Sequence, residues 1–150
     1  MESKKDNQTI VFDAQGKILG RLASLVAKSA LQGNSVAVIN AEEAVLSGSP
    51  EVVAARYKVR LDLKEKANPD HSPYWPRRPD MLVKRVVRGM LPYRHPRGKE
   101  AYRRIRVYMG IPEELKGAKP IKIDAKDPRK LYVNTMSVAQ LSKMLGYDKA

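Results

Sequence analysis

"TIVFDAQGKILGRLASLVAKSALQGNSVAVIN", residues 9–40, is the stretch whose reading decides the fold. Thr9–Ala14 is short, apolar and partly β-branched, which suits a buried strand. "QGK" (15–17) then turns the chain. From Ile18 onward the apolar residues recur with helical spacing, and Ile18, Leu22, Leu25, Val26 and Ala30 fall on one face. Gly33 stands where a helix C-terminal cap is expected. "SVAVIN" (35–40) is a second apolar run of strand length. A strand, a helix and a strand in roughly thirty residues predict a crossover and a parallel pair.

Working outward, "SGSPEVVAARYKVRLDLKEKA" (47–67) carries helix-start chemistry. Ser49 can cap, Pro50 suits the first helical position, and Glu51 complements the positive helix end. Val53, Tyr57 and Leu61 recur every four residues and are expected to face the core. Arg56, Arg60 and Lys64 form a neighbouring basic stripe. Toward the other terminus, residues 1–8 read as a polar tail.

The composition changes at Asn68. "NPDHSPYWPRRPD" (68–80) holds Pro69, Pro73, Pro76 and Pro79 and reads as an extended arm. "DMLVKRVVRGMLP" (80–92) reads as a short amphipathic helix capped by Asp80. Leu82, Val83, Val86, Val87 and Met90 form its apolar side, opposite Lys84, Arg85 and Arg88. "KEAYRRIRVYMG" (99–110) reads as a second short helix, with Ala101, Ile105, Tyr108 and Met109 inward and Gly110 ending it. Residues 68–112 thus form a basic insert. Beyond it, "PIKID" (120–124) and "KLYVNT" (130–135) read as strands. "MSVAQLSKMLG" (136–146) reads as a final helix with Val138, Leu141 and Leu145 inward. Strands alternating with helices predict a single α/β domain over residues 1–150, built on a small, mostly parallel sheet.

The chain has 150 residues, with 29 Lys and Arg against 16 Asp and Glu, a net charge of +13. Such a balance implies an anionic partner. The charge is concentrated. Residues 77–106 hold eleven basic residues and two acids, so a fifth of the chain carries nine of the thirteen net charges. Nine of those eleven are arginines, whose planar fork pairs phosphate oxygens and stacks on bases. Lipid-binding segments favour lysine and a broad insertable apolar face, so no membrane partner is expected. A DNA reader would offer a recognition helix or ribbon for the major groove. A proline-rich arm and a bent basic loop suit irregular RNA better.

The candidate RNA-binding residues in the insert are Arg77, Arg78, Lys84, Arg85, Arg88, Arg94, Arg97, Lys99, Arg103 and Arg106. The Arg56, Arg60 and Lys64 stripe is a second candidate group. Tyr74, Trp75, Tyr93 and His95 lie among the arginines and are candidates for stacking on splayed bases, with local core filling as the alternative.

Other chemistry is poorly supported. Without cysteine, disulfides and thiolate metal sites are impossible. His71 and His95 are the only histidines and have no partner at metal-ligand spacing, so no metal or cofactor is expected. "GKILGR" (16–21) has glycines between a strand and a helix but lacks the spacing of a phosphate-binding fingerprint. Lys17 and Arg21 there can still meet an RNA phosphate. The pairs Glu42-Glu43 and Glu113-Glu114 read as solvated turns rather than an active site, and no small-molecule substrate is expected. No apolar run approaches the roughly 18 residues of a membrane span. "MESKKDNQ" has no hydrophobic signal region, so a cytoplasmic location is expected. A nucleotide-binding α/β enzyme and a basic DNA-binding module remain the rival readings.

"VVRGMLP" (86–92) and the following "RGKEAYRRIRVYMGIPEEL" (97–115) resemble the signature region of the large-subunit ribosomal protein L-thirteen family. "VFDAQGKILGRLASLVAKSALQG" and "VAVINAEEAVLSG" resemble its amino-terminal half. "LYVNTMSVAQLSKMLG" and "YWPRRPDMLVKR" resemble the archaeal-type branch. The resemblance covers residues 9–147. It implies a three-layer α/β/α domain with a four-stranded parallel sheet and a structural, non-enzymatic role. It also implies binding to large-subunit (23S-type) rRNA, contacts with neighbouring ribosomal proteins, and action early in subunit assembly. The family's RNA-facing motif falls here on Arg88, Gly89, Met90, Leu91, Pro92, Arg97, Gly98 and Lys99.

Overall fold

A computed structural model describes residues 9–121 and 134–148. Strand β1 (Thr9–Asp13) leads through helix α1 (Leu19–Leu31) to strand β2 (Ser35–Ile39). The two strands pair in parallel, Thr9 beside Ser35 through Asp13 beside Ile39. This is the unit expected from residues 9–40. Gly33 adopts φ +100°, and its N–H donates to the Ala30 carbonyl (3.1 Å), which closes α1 as a C-terminal cap does. One detail differs. Leu25 is exposed, and Leu19, Ala23 and Ala27 complete the buried face instead, because the helix packs across a broader stripe than the sequence spacing suggested.

Strand β3 (Val45–Ser47) precedes helix α2 (Pro50–Asp62). Ala54 is buried on α2, and Val53, Tyr57 and Leu61 pack against the core as expected. Ser49 occupies the N-cap position without a side-chain capping bond. Because α2 ends at Asp62, Lys64 lies beyond the helix and does not extend the Arg56–Arg60 stripe. The proline-rich arm is irregular apart from one 3-10 turn, Pro69–His71, capped by the Asn68 side chain. Helix α3 (Pro79–Gly89) starts one residue early, with Arg78 at the N-cap position. Asp80 sits inside the first turn and pairs with Arg78 at 2.9 Å rather than capping. Leu82, Val83 and Val87 are buried, but Met90 is exposed and Leu91 takes its place.

The main correction concerns residues 99–110. Helix α4 covers Pro96–Arg103 and stops. Ile105–Val107 is strand β4, which joins β2 in parallel, Val36 beside Ile105 and Val38 beside Val107. The sheet order is β1-β2-β4. A helix and a strand both turn Ile105 inward, so the sequence pattern alone did not separate them. Pairing with β2 does. Period-two alternation then sends Arg106 to the other sheet face, beside Ala37.

Strand β5 (Thr135–Ser137) pairs antiparallel with β3, and helix α5 (Val138–Met144) follows. Ser137 and Gln140 form a full capping box. The strand expected at 130–135 lies outside the described residues except for its end. Of the one expected at 120–124, Pro120 and Ile121 are described, and Ile121 bridges Phe12 in parallel on the side of β1 away from β2. The α/β class with a small, mostly parallel sheet is therefore observed, three strands plus a separate antiparallel pair among the described residues.

The core lies on one face of this sheet. Phe12, Val36, Val38 and Ile105 meet Leu22, Val26, Val83, Val87, Val138 and Leu141. The opposite face is a smaller cluster of Val11, Ala37 and Ile39, covered by Tyr108 and Leu115. The Glu42-Glu43 pair and the glycine turn acquire partners at the sheet's carboxyl end, whereas Glu113 and Glu114 are exposed, as expected of a solvated turn. Glu42 is not merely solvated: its carboxylate accepts the Gly110 N–H at 2.9 Å. Asp13 accepts the Asn40 side-chain amide at 3.0 Å.

Candidate nucleic-acid interface

The basic insert becomes a scaffold once α3 is anchored. Its apolar side enters the core, so Lys84, Arg85 and Arg88 must face outward, each half-buried along its stem. After α3 the chain turns at Leu91–His95. Leu91 is buried, the His95 N–H donates to the Pro92 carbonyl at 3.0 Å, and α4 begins at Pro96. Gly98 is buried in that helix against the Pro92 carbonyl. The close backbone approach that this glycine permits is made to the protein's own chain.

Both acids of residues 77–106 are taken up locally. Asp80 pairs with Arg78, and Glu100 with Arg104 at 3.6 Å. The other basic residues of the segment form no ion pair among the described residues. The net positive charge seen in composition is therefore also uncompensated in space.

The structure divides the candidates among several surfaces. A cleft of about 750 Å³ gathers Arg60, Arg85, Arg88, Arg94, Trp75, Tyr93 and His95, with Tyr57 in its wall. Three of its four arginines rest on rings: Arg60 lies 5.1 Å from the Tyr57 centroid and 5.0 Å from Trp75, Arg85 lies 4.6 Å from Trp75, and Arg88 lies 4.0 Å from Tyr93. Tyr93 meets Tyr102 edge to face at 5.3 Å, and Lys84 lies 5.0 Å from the Tyr102 ring. Burial raises the Tyr102 hydroxyl pKa above its ordinary value, with Tyr93 adding to the rise and Arg88 and Arg85 opposing it. A neighbouring cleft, sharing Trp75, is lined by Lys64, Tyr74, Arg77 and Arg78. Arg97 stands apart, beside Lys28 and Met90 at the junction of α1 and α4.

Arg56, Lys99 and Arg103 are exposed and line none of these clefts. Arg106 projects from the far face of the sheet. Gly89 is exposed at the end of α3. Lys17 and Arg21 flank the strand-to-helix turn. Two amides of that turn are already used: the Gly16 N–H donates to Glu43 at 3.2 Å and the Lys17 N–H to Ala14 at 3.0 Å. That leaves a poor phosphate cradle for the rival nucleotide reading.

Sequence reasoning missed Tyr57 and Lys28 as surface participants. Tyr57 was assigned to the core alone, yet its spacing of three from Arg60 on α2 is the signal for a ring-cation contact. Lys28 lies on the same stripe as Arg21 and Ser24, on the outward face of α1. Among the described residues, no group of three or more His, Asp or Glu side chains is placed to hold a metal, and no helix is long and apolar enough to cross a membrane.

Comparison with known proteins agrees with the resemblance noted in the sequence. The sequence model of a family described as "Ribosomal protein L13" matches residues 7–114. The chain is similar to the "Large ribosomal subunit protein uL13" of Archaeoglobus fulgidus, 45% identical over 91% of this chain and 87% of that protein. It is similar to those of Methanosphaera stadtmanae, 41% identical over 91% and 96%, and Methanocaldococcus jannaschii, 42% identical over 91% and 96%.

Proposed function

Because this chain belongs to the ribosomal protein L13 family, we propose that it is a structural protein of the large ribosomal subunit that holds rRNA on its basic insert. The observation that carries this reading is the surplus of cations on residues 77–106: both acids of the segment already pair within it. An arginine surface without internal counterions favours close-packed phosphates, where each contact releases a condensed counterion. The α/β core supplies fixed positions. α3 is held by Leu82, Val83 and Val87, so the charges it carries are presented without further ordering cost.

The partners in this reading are large-subunit (23S-type) rRNA and neighbouring ribosomal proteins, and the setting is the cytoplasmic large subunit. The role is architectural, supporting early assembly; the family is one of ribosomal proteins rather than enzymes. A duplex-DNA module gains no support from the fold, since α3 and α4 spend their apolar sides on the core and offer no protruding recognition helix.

The test is where the protein runs after lysis. Co-sedimentation with large subunits at moderate salt is expected. A wholly free pool, or equal affinity for duplex DNA and rRNA fragments, would overturn the reading.

A further inference from the structure

The cleft between α2, the proline-rich arm and α3 has a composition that a general phosphate-binding surface does not require. Tyr57, Arg60, Trp75 and Arg85 form one continuous series of ring-cation contacts, drawn from three separate segments. Arg60, Arg85 and Arg88 are half-buried and join no ion pair among the described residues. Three like charges gathered at one concave site repel one another, and an anion entering it relieves that repulsion. The Trp75 indole N–H is also buried with no acceptor among the described residues, the kind of donor that a ligand oxygen satisfies.

We infer that this cleft receives an unpaired RNA nucleotide, its base added to the arginine–aromatic series and its phosphate set against Arg88 and Arg94. The inference rests on the rRNA-binding reading and narrows it to one recognition mode. At about 750 Å³ the cleft is of small-ligand size. A duplex, whose bases are already stacked and whose surface is convex, cannot enter it. Guanidinium planes and rings both accept a base face, whereas an acidic peptide would use the charges and leave the stack unextended.

Trp75 is the only tryptophan in the chain; because its ring also borders the neighbouring cleft, its emission is assigned by substituting Arg60 and Arg85, which line this cleft and not the other. The full-length protein is titrated with a five-nucleotide single-stranded RNA, an RNA duplex, adenosine monophosphate and an oligoglutamate peptide, with filter binding of a 23S-type rRNA fragment measured alongside. The single strand is expected to shift the emission, the duplex to bind without shifting it, and the mononucleotide and peptide to require far higher concentrations. Arg60→Lys and Arg85→Lys keep the charge and remove the planar stacking surface. Each is expected to weaken the single strand about tenfold, with Arg94→Gln as a third variant on an exposed residue that leaves the core untouched. An equal response to duplex, mononucleotide or peptide overturns the inference. So does rRNA binding with no emission change from the single strand, which leaves the broader interface standing. Failure to bind any RNA removes the proposed function itself.

Discussion

Gly98 faces Pro92 so closely that a Cβ at position 98 would overlap the Pro92 carbonyl group and fall 2.9 Å from the Tyr93 nitrogen. The start of α4 is thereby pressed onto the turn that carries Tyr93, Arg94 and His95. This one backbone contact fixes the edge of the arginine-lined cleft.

Gly98→Ala must push α4 off that turn. An overpacked site costs about 1–3 kcal/mol, and backbone has less room to yield than a side chain. Gly89→Ala is the matched control: nothing lies within 4 Å of its Cβ position, and removing a helical glycine favours folding by about 0.5–1 kcal/mol. Urea denaturation of the two variants should move the midpoint in opposite directions.

Ile105 is fully buried in β4 between the sheet and the helical layer. Ile105→Ala should cost about 2–5 kcal/mol. Arg106→Ala, one residue on and exposed on the far face, should change stability by no more than about 0.5 kcal/mol. Chemical denaturation checks the pair, and similar losses at both positions would contradict the strand.

The Ser137 hydroxyl oxygen accepts the Gln140 N–H at 3.1 Å, and the Ser137 N–H donates to the Gln140 side-chain oxygen at 3.0 Å. Ser137→Ala should lower stability by about 0.5–2 kcal/mol, and Ser137→Asp should recover most of it. Thermal unfolding at fixed pH measures both.

Affinity for the cognate rRNA should be steeply salt-dependent. With about six to ten phosphates engaged, it should fall by about 10³–10⁵ between 50 and 200 mM salt. Arg88→Gln, which removes a cation with no ion pair among the described residues, should reduce the log-log slope by about 0.7–0.9. Arg104→Gln, whose cation already pairs with Glu100, should reduce it less. Filter binding across a salt series checks this, and a slope near zero would exclude the electrostatic mechanism.

Legibility in the sequence followed the range of the interaction. α1 and its flanking strands were readable because a helical stripe, a glycine cap and two apolar runs lie within residues 9–40. α5 was readable for the same reason, although its start was placed at Met136, and Met136 and Ser137 belong to β5 instead. β4 was not. Arg104, Ile105, Arg106 and Val107 satisfy a helical face and a strand face equally over so short a span, and only the ladder to Val36 and Val38 chooses. β3 has the same character: its partner, β5, is remote in sequence. Within the site, the arginine surplus was plain from composition. The assignment of Arg97 and Arg106 to the same surface as Arg88 was not a composition question, and the structure separates them.

By itself, then, the sequence determined that this chain builds an α/β core, where its uncompensated charge is concentrated, and which family motif it carries. Each of these depends on residues that are neighbours along the chain, through periodicity, capping or local charge density. Only the tertiary structure decided that Tyr57 and Arg60 of α2, Trp75 of the arm and Arg85 of α3 share one cleft. That grouping has no signature in local spacing. It arises because Ala54 of α2 and Leu82 and Val87 of α3 bury themselves in a common core, which carries the outward side chains of the two helices together, and Trp75 of the arm joins them through its contacts with Arg60 and Arg85.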